Sequence, residues 1–183
     1  NDLRGKILRI TPKAGGGYTI PEGNLFQDSS TLTRPEIYLM GLRNPFRIEY
    51  NLEEGELYVA DYSPDAQTAD PLRGPAGQGK WFIATEPGYY GWPYCATAEL
   101  PYVDYDFATG VSGATFHCAT PVNESPHNTG LTDLPPVTQP PQERNPEKPL
   151  ATLRDPDLLS DSREDGAGLV MGGYERQSEP AFM

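Results

Sequence analysis

The sequence predicts an all-β fold, and three observations carry that expectation. Short runs of alternating or continuous apolar residues recur at Glu36–Met40, Phe46–Tyr50 and Glu56–Ala60, each too brief for a helix and each bounded by Gly, Pro, Asn or Asp. Twenty Pro and nineteen Gly are spread through 183 residues, so long helices have no room to form. Eleven Tyr supply the aromatic content that favours strands over disorder.

In chain order, Leu3–Ile10 reads as a first strand with Ile7, Leu8 and Ile10 as its apolar residues. From Thr11 to Glu22 the residues Pro12, Gly15, Gly16, Gly17 and Pro21 read as loop. Neither a following Lys-Ser/Thr nor a helical pattern makes that Gly run a phosphate cradle. Gly23–Arg34 reads as a polar loop leading to the central stretch, Glu36–Asp65, a strand, turn, strand, acidic hairpin, strand and second turn. In its first turn Arg43 and Asn44 stand between Gly41 and Pro45 where a strand ends. A guanidinium fork and an amide presented together on a rim suit an anionic or carbonyl-bearing ligand; spacing alone favours the plainer reading, a local ion pair for Arg43 and a turn former for Asn44.

Gln67–Gly79 is rich in Pro and Gly and reads as a surface excursion, and Lys80–Thr85 as an interior strand. The run EPGYYGWPYC holds aromatics between Gly and Pro, a composition suited to plugging one end of a β architecture. Cys95 and Cys118 are the only cysteines. Either they are two separate buried thiols, or they form a disulfide worth roughly 3 kcal/mol on the chain-entropy model in an oxidising compartment; the bridge is the expectation. With His117 and His127 they lack the paired spacing of a zinc site. Asp104 and Asp106 have too few acidic companions for an EF-hand loop. Asn123-Glu124-Ser125 is a formal glycosylation acceptor.

From Leu134 to Pro149 the composition shifts to Pro among Gln, Glu and Arg, an extended spacer. The expected organisation is a β domain over 1–135, a Pro-rich linker over 136–150 and a tail over 151–183 of uncertain origin. The tail has one apolar run, too little for a core of its own.

Charge narrows the partners. A net charge of -12, from 14 basic and 26 acidic residues, speaks against a nucleic-acid surface or an anionic membrane. No stretch approaches the roughly 18 consecutive apolar residues of a membrane span. Mean hydropathy is -0.58. The chain opens on Asn1 without a charged and apolar leader, so any signal peptide is expected to have been removed or never to have been part of this piece, and a secreted or periplasmic location is expected.

The ordered combination of LRGKILRI, PEIYLMGLRNPFRIEYN, GELYVADYSPDA and GYYGWPYC resembles the soluble quinoprotein glucose/sorbosone dehydrogenases, over roughly residues 1–136. That resemblance implies part of a six-bladed β-propeller. It also implies pyrroloquinoline quinone (PQQ) and calcium as cofactors, a sugar (an aldose) as substrate and an external electron acceptor. By it, Arg43 and Asn44 contact the quinone, the main-chain carbonyls of Ser63 and Pro64 hold the catalytic calcium, and Tyr90 lies near a second, structural calcium. Ser63-Pro64 stands where the family commonly has Gly-Pro, a change of little consequence if only the carbonyl is used. The family's general base is a His on an earlier blade; His117 and His127 match no such motif, and no residue is assigned a catalytic role. At about 40–50 residues per blade a whole propeller needs some 250–300 residues, so the chain supplies about half of one. The alternative reading is a propeller module that binds carbohydrate or protein without catalysis. Over some thirty residues the tail, with RDPDLL and GLVMGGYER, resembles flavin-dependent dimethylglycine/sarcosine dehydrogenases, which implies an amine oxidoreductase and makes a fragment, a fusion or a composite chain the competing origins. No Gly-x-Gly-x-x-Gly fingerprint accompanies it.

Overall fold

The computed structural model describes residues 1–27, 30–62, 64–77 and 79–138. Ser63, most of the Pro-rich linker and the 151–183 tail lie outside the described residues, and with them the expectations placed there. Twelve strands and no helix are found among the described residues: β1 Ile7–Leu8, β2 Thr11–Pro12, β3 Tyr18–Thr19, β4 Ile37–Met40, β5 Pro45–Asn51, β6 Glu56–Asp61, β7 Lys80–Ala84, β8 Gly88–Tyr89, β9 Cys95–Thr97, β10 Leu100–Pro101, β11 Val103–Asp106 and β12 Val111–Thr115. The fold is therefore all-β, as the turn-rich composition predicts.

The strands form several small sheets, none of them closed. In the largest meander β5, β6 and β7 run antiparallel, with Ile48 opposite Val59 and Val59 opposite Phe82. A second sheet takes the order β1-β4-β8, in which β4 and β8 are parallel, with Leu39 beside Gly88 and Met40 beside Tyr89. Hairpins β2-β3, β9-β10 and β11-β12 complete the set.

Leu3–Ile10 contracts to the two residues of β1. The preceding turn is set by Gly5, at φ 64°, whose carbonyl accepts the Leu42 N–H, so Leu3 and Arg4 leave the sheet. Conversely, the run read as loop after Thr11 contains the β2-β3 hairpin. Gly16 and Gly17, at φ 91° and 74°, make its reversal, and the Gly17 carbonyl accepts from Lys13.

Two apolar clusters result. Ile7, Tyr38, Leu39, Leu42, Leu57, Val59, Phe82, Ala84 and Tyr90 form the first, with Ile48 against it. Each fully buried aliphatic chain of this kind contributes about 1.5–3 kcal/mol. The second gathers Tyr89, Tyr94, Val137 and the Cys95–Cys118 disulfide, which is formed as expected. Val137, which composition assigns to the linker, is buried and bridges Tyr89, so the packed chain runs on to Thr138.

Candidate functional site

The parallel pairing of β4 and β8 decides what meets at their ends. Beyond the paired residues the two chains continue side by side, Tyr90 N–H donating to the Met40 carbonyl and Trp92 N–H to the Gly41 carbonyl, both at 2.8 Å. Gly41, at φ 74°, turns the first chain, and a Cβ there would overlap the Tyr89 ring and the Gly91 nitrogen. The Arg43 turn and the Trp92 turn thus emerge together, and the Arg43 guanidinium carbon stands 5.9 Å from the centre of the Trp92 ring. Tyr102 meets Trp92 edge-on, with centroids 5.7 Å apart and planes at 88°.

Asp61 fixes the Arg43 turn from below. This last residue of β6 is buried, and its carboxylate accepts the Arg43 N–H at 3.2 Å and the Asn44 N–H at 2.7 Å. The Asn44 carbonyl in turn accepts the Tyr62 N–H at 3.0 Å. Lys80 pairs with Asp61 across β6-β7, and its ammonium donates to the Tyr90 carbonyl. Burial raises the Asp61 carboxyl above its ordinary range against the opposing pull of the two N–H donors and of Lys80 and Arg43. Burial likewise pulls the Lys80 ammonium down to about 8, with Asp61 holding it up. Tyr102 is raised by burial, while the Arg43 charge works the other way.

Arg43 and Asn44 are therefore brought together, Asn44 exposed and Arg43 half-buried. No carboxylate lies at ion-pair distance from the Arg43 guanidinium among the described residues, where the ion pair found is Arg4–Asp2 near the N-terminus. The local ion pair that spacing also allowed is not made there. The Pro64 carbonyl is packed against Gly77, where a Cβ would overlap it. The Tyr90 carbonyl already carries the Lys80 ammonium, and its ring stacks on Phe82 with centroids 4.1 Å apart. Among the described residues no group of three or more His, Cys, Asp or Glu is gathered for a metal.

Asp61, Lys80, Trp92 and Tyr102 escape a reading by residue type. An Asp at a strand end resembles any turn former, and a Lys opening a strand resembles a solvent-facing charge. The one available signal is parity: Asp61 continues the buried alternation of Leu57 and Val59.

Over 115 residues the chain is 35% identical to the HIPL2 protein of Arabidopsis thaliana, an alignment that takes in 55% of this chain and 14% of that protein. The chain thus spans a small part of the length of this relative. No family model matches the sequence, and no solved structure matches it.

Proposed function

We propose that this chain is part of an extracytoplasmic β-propeller module that binds carbohydrate at the Arg43–Asn44–Trp92–Tyr102 cluster without catalysing a reaction on it. The observation that carries the reading is the commitment of both titratable groups beside the cluster. Asp61 spends its oxygens on two main-chain N–H groups, and Lys80 spends its ammonium on a carbonyl, so each holds the turn instead of facing a substrate. What is left to face a ligand is an indole flanked by a guanidinium and an exposed amide. An aromatic face with a few convergent polar groups is the usual chemistry of a site that orients a polyhydroxylated ring. The disulfide supports an oxidising compartment. A glycan array probed with the purified chain tests the reading: binding that Trp92→Ala weakens at least about tenfold is expected, and an array on which no glycan binds refutes it.

A second reading, a PQQ-dependent sugar dehydrogenase, is favoured by one specific feature. Arg43 offers a guanidinium with no acid at ion-pair distance among the described residues, next to the Asn44 amide, and such donors fit a polycarboxylated quinone. When bound, the quinone would supply the two-electron oxidation of the sugar. Arg43 and Asn44 would hold and orient it, on a turn fixed by Asp61. Addition of PQQ with calcium, followed by visible absorbance after gel filtration, separates the two: a retained quinone spectrum that Arg43→Met abolishes would favour the dehydrogenase.

A further inference from the structure

Resting on the carbohydrate-binding reading, we infer that the sugar taken by the Arg43–Trp92 cluster is an acidic one, a pyranose carrying a carboxylate. The guanidinium lies beside the indole with no carboxylate at ion-pair distance among the described residues. The fork of a half-buried guanidinium matches a carboxylate with two parallel hydrogen bonds. The surroundings agree in charge. Two cations, Arg43 and Lys80, face one carboxylate, Asp61, which is turned into the protein by its bonds to the Arg43 and Asn44 N–H groups. The cluster is locally positive in a chain of net charge -12, so anions are repelled elsewhere and accepted here. Tyr102 packs edge-on against the half-buried Trp92, and Asn44 is exposed beside them to meet sugar hydroxyls.

The test compares methyl glucuronide, methyl glucoside and a 6-sulfated methyl glucoside by calorimetric titration of the full chain at low ionic strength. A charge-assisted fork is worth about 1.5–3 kcal/mol, so the glucuronide is expected to bind at least about tenfold tighter than the neutral glucoside. In Arg43→Met that ratio is expected to fall to near one. The Asp61 bond uses the main-chain N–H of residue 43, so the turn keeps its anchor in this variant. Equal affinity for glucuronide and glucoside overturns the inference while leaving carbohydrate binding intact, as does a preference that survives Arg43→Met. Binding of the sulfated sugar as tightly as the glucuronide overturns the carboxylate specificity. Failure of all three sugars to bind overturns both the inference and the reading beneath it.

Discussion

Asp61 contributes more to the site than its position at a strand end suggests. It is the acceptor for both N–H groups of the Arg43–Asn44 turn, so Asp61→Ala leaves two donors without an acceptor and Lys80 without its nearby carboxylate. A loss of about 2–4 kcal/mol in urea unfolding is expected, and Asp61→Asn, which keeps one acceptor oxygen, is expected to lose less. Lys80 gives a pH signature whose sign follows from its lowered value. Below pH 8 the ammonium is charged in both folded and unfolded chains, and its burial costs stability. Between about 8 and the ordinary value of 10.5 the unfolded chain holds the proton more tightly than the folded one, so that cost is relieved as pH rises. The stability gap between wild type and Lys80→Met should therefore shift in favour of wild type from pH 7.5 to 10, as chemical denaturation at the two pH values would show; a gap that does not change would refute a buried ammonium. Arg43 and Asn44 were legible in the sequence because Gly41 and Pro45 announce a turn at a strand end. Asp61 and Lys80 were not, because their partners are main-chain groups brought close only by sheet register.

At the level of elements, the site depends on β4 and β8 lying parallel, which no local pattern encodes. The sequence shows two short apolar runs separated by the whole β5-β6-β7 meander; their side-by-side ends arise from the packing of Leu39 and Tyr89 into adjoining clusters. Strand existence at β4 to β7 was legible from alternation and apolar runs, whereas the hairpin after Thr11 was hidden by its glycines and the pairing of β8 by its two-residue length. Gly41 is the element-scale test. Ala at φ 74° carries a left-handed cost of about 1–2 kcal/mol, and its Cβ would also overlap the Tyr89 ring. Gly41→Ala should destabilise by more than the backbone cost alone, and it should weaken ligand binding by parting Arg43 from Trp92; unchanged affinity in a folded variant would deny that the parallel ends build the site. The loop after β12 has an anchor of its own. The Asn123 amide donates to the carbonyls of Asn128 and Leu131, at 2.8 and 2.7 Å, and its oxygen accepts the Ser125 N–H. A glycan on that nitrogen would remove one of those donors, so Asn123 should be found unmodified by mass spectrometry of the chain secreted from a glycosylating host, despite its formal acceptor motif.

Across the whole molecule, the two apolar clusters meet where β8 ends, Tyr89 belonging to one and the next residue, Tyr90, to the other. The binding cluster straddles that boundary: the Arg43 turn hangs from the β5-β6-β7 side through Asp61, while Trp92 follows Gly91, whose carbonyl accepts the Tyr94 and Cys95 N–H groups of the disulfide side. The first side is a three-stranded meander, its β5-β6 ladder shifting register only between Pro45 and Arg47. The second is made of two-residue and three-residue strands, with Val137 added through the Val137 N–H to the Cys118 carbonyl and the Thr138 N–H to the Tyr89 carbonyl. Its order rests heavily on the Cys95–Cys118 link, which closes a loop over a separation of 23 residues and stabilises by about 3 kcal/mol. Reduction should therefore act unevenly. In hydrogen exchange, the amides of Cys95, Val137 and Thr138 should lose protection on adding reductant, while those of β6 keep theirs, because stability is distributed in local units. Ligand affinity should fall in the same samples, since Trp92 is held by the side that loosens and Arg43 by the side that does not. Loss of protection in β6 at the same reductant concentration would mean a single cooperative unit, and the site would then owe its geometry to the fold as a whole instead of to a disulfide-held half docked against a meander.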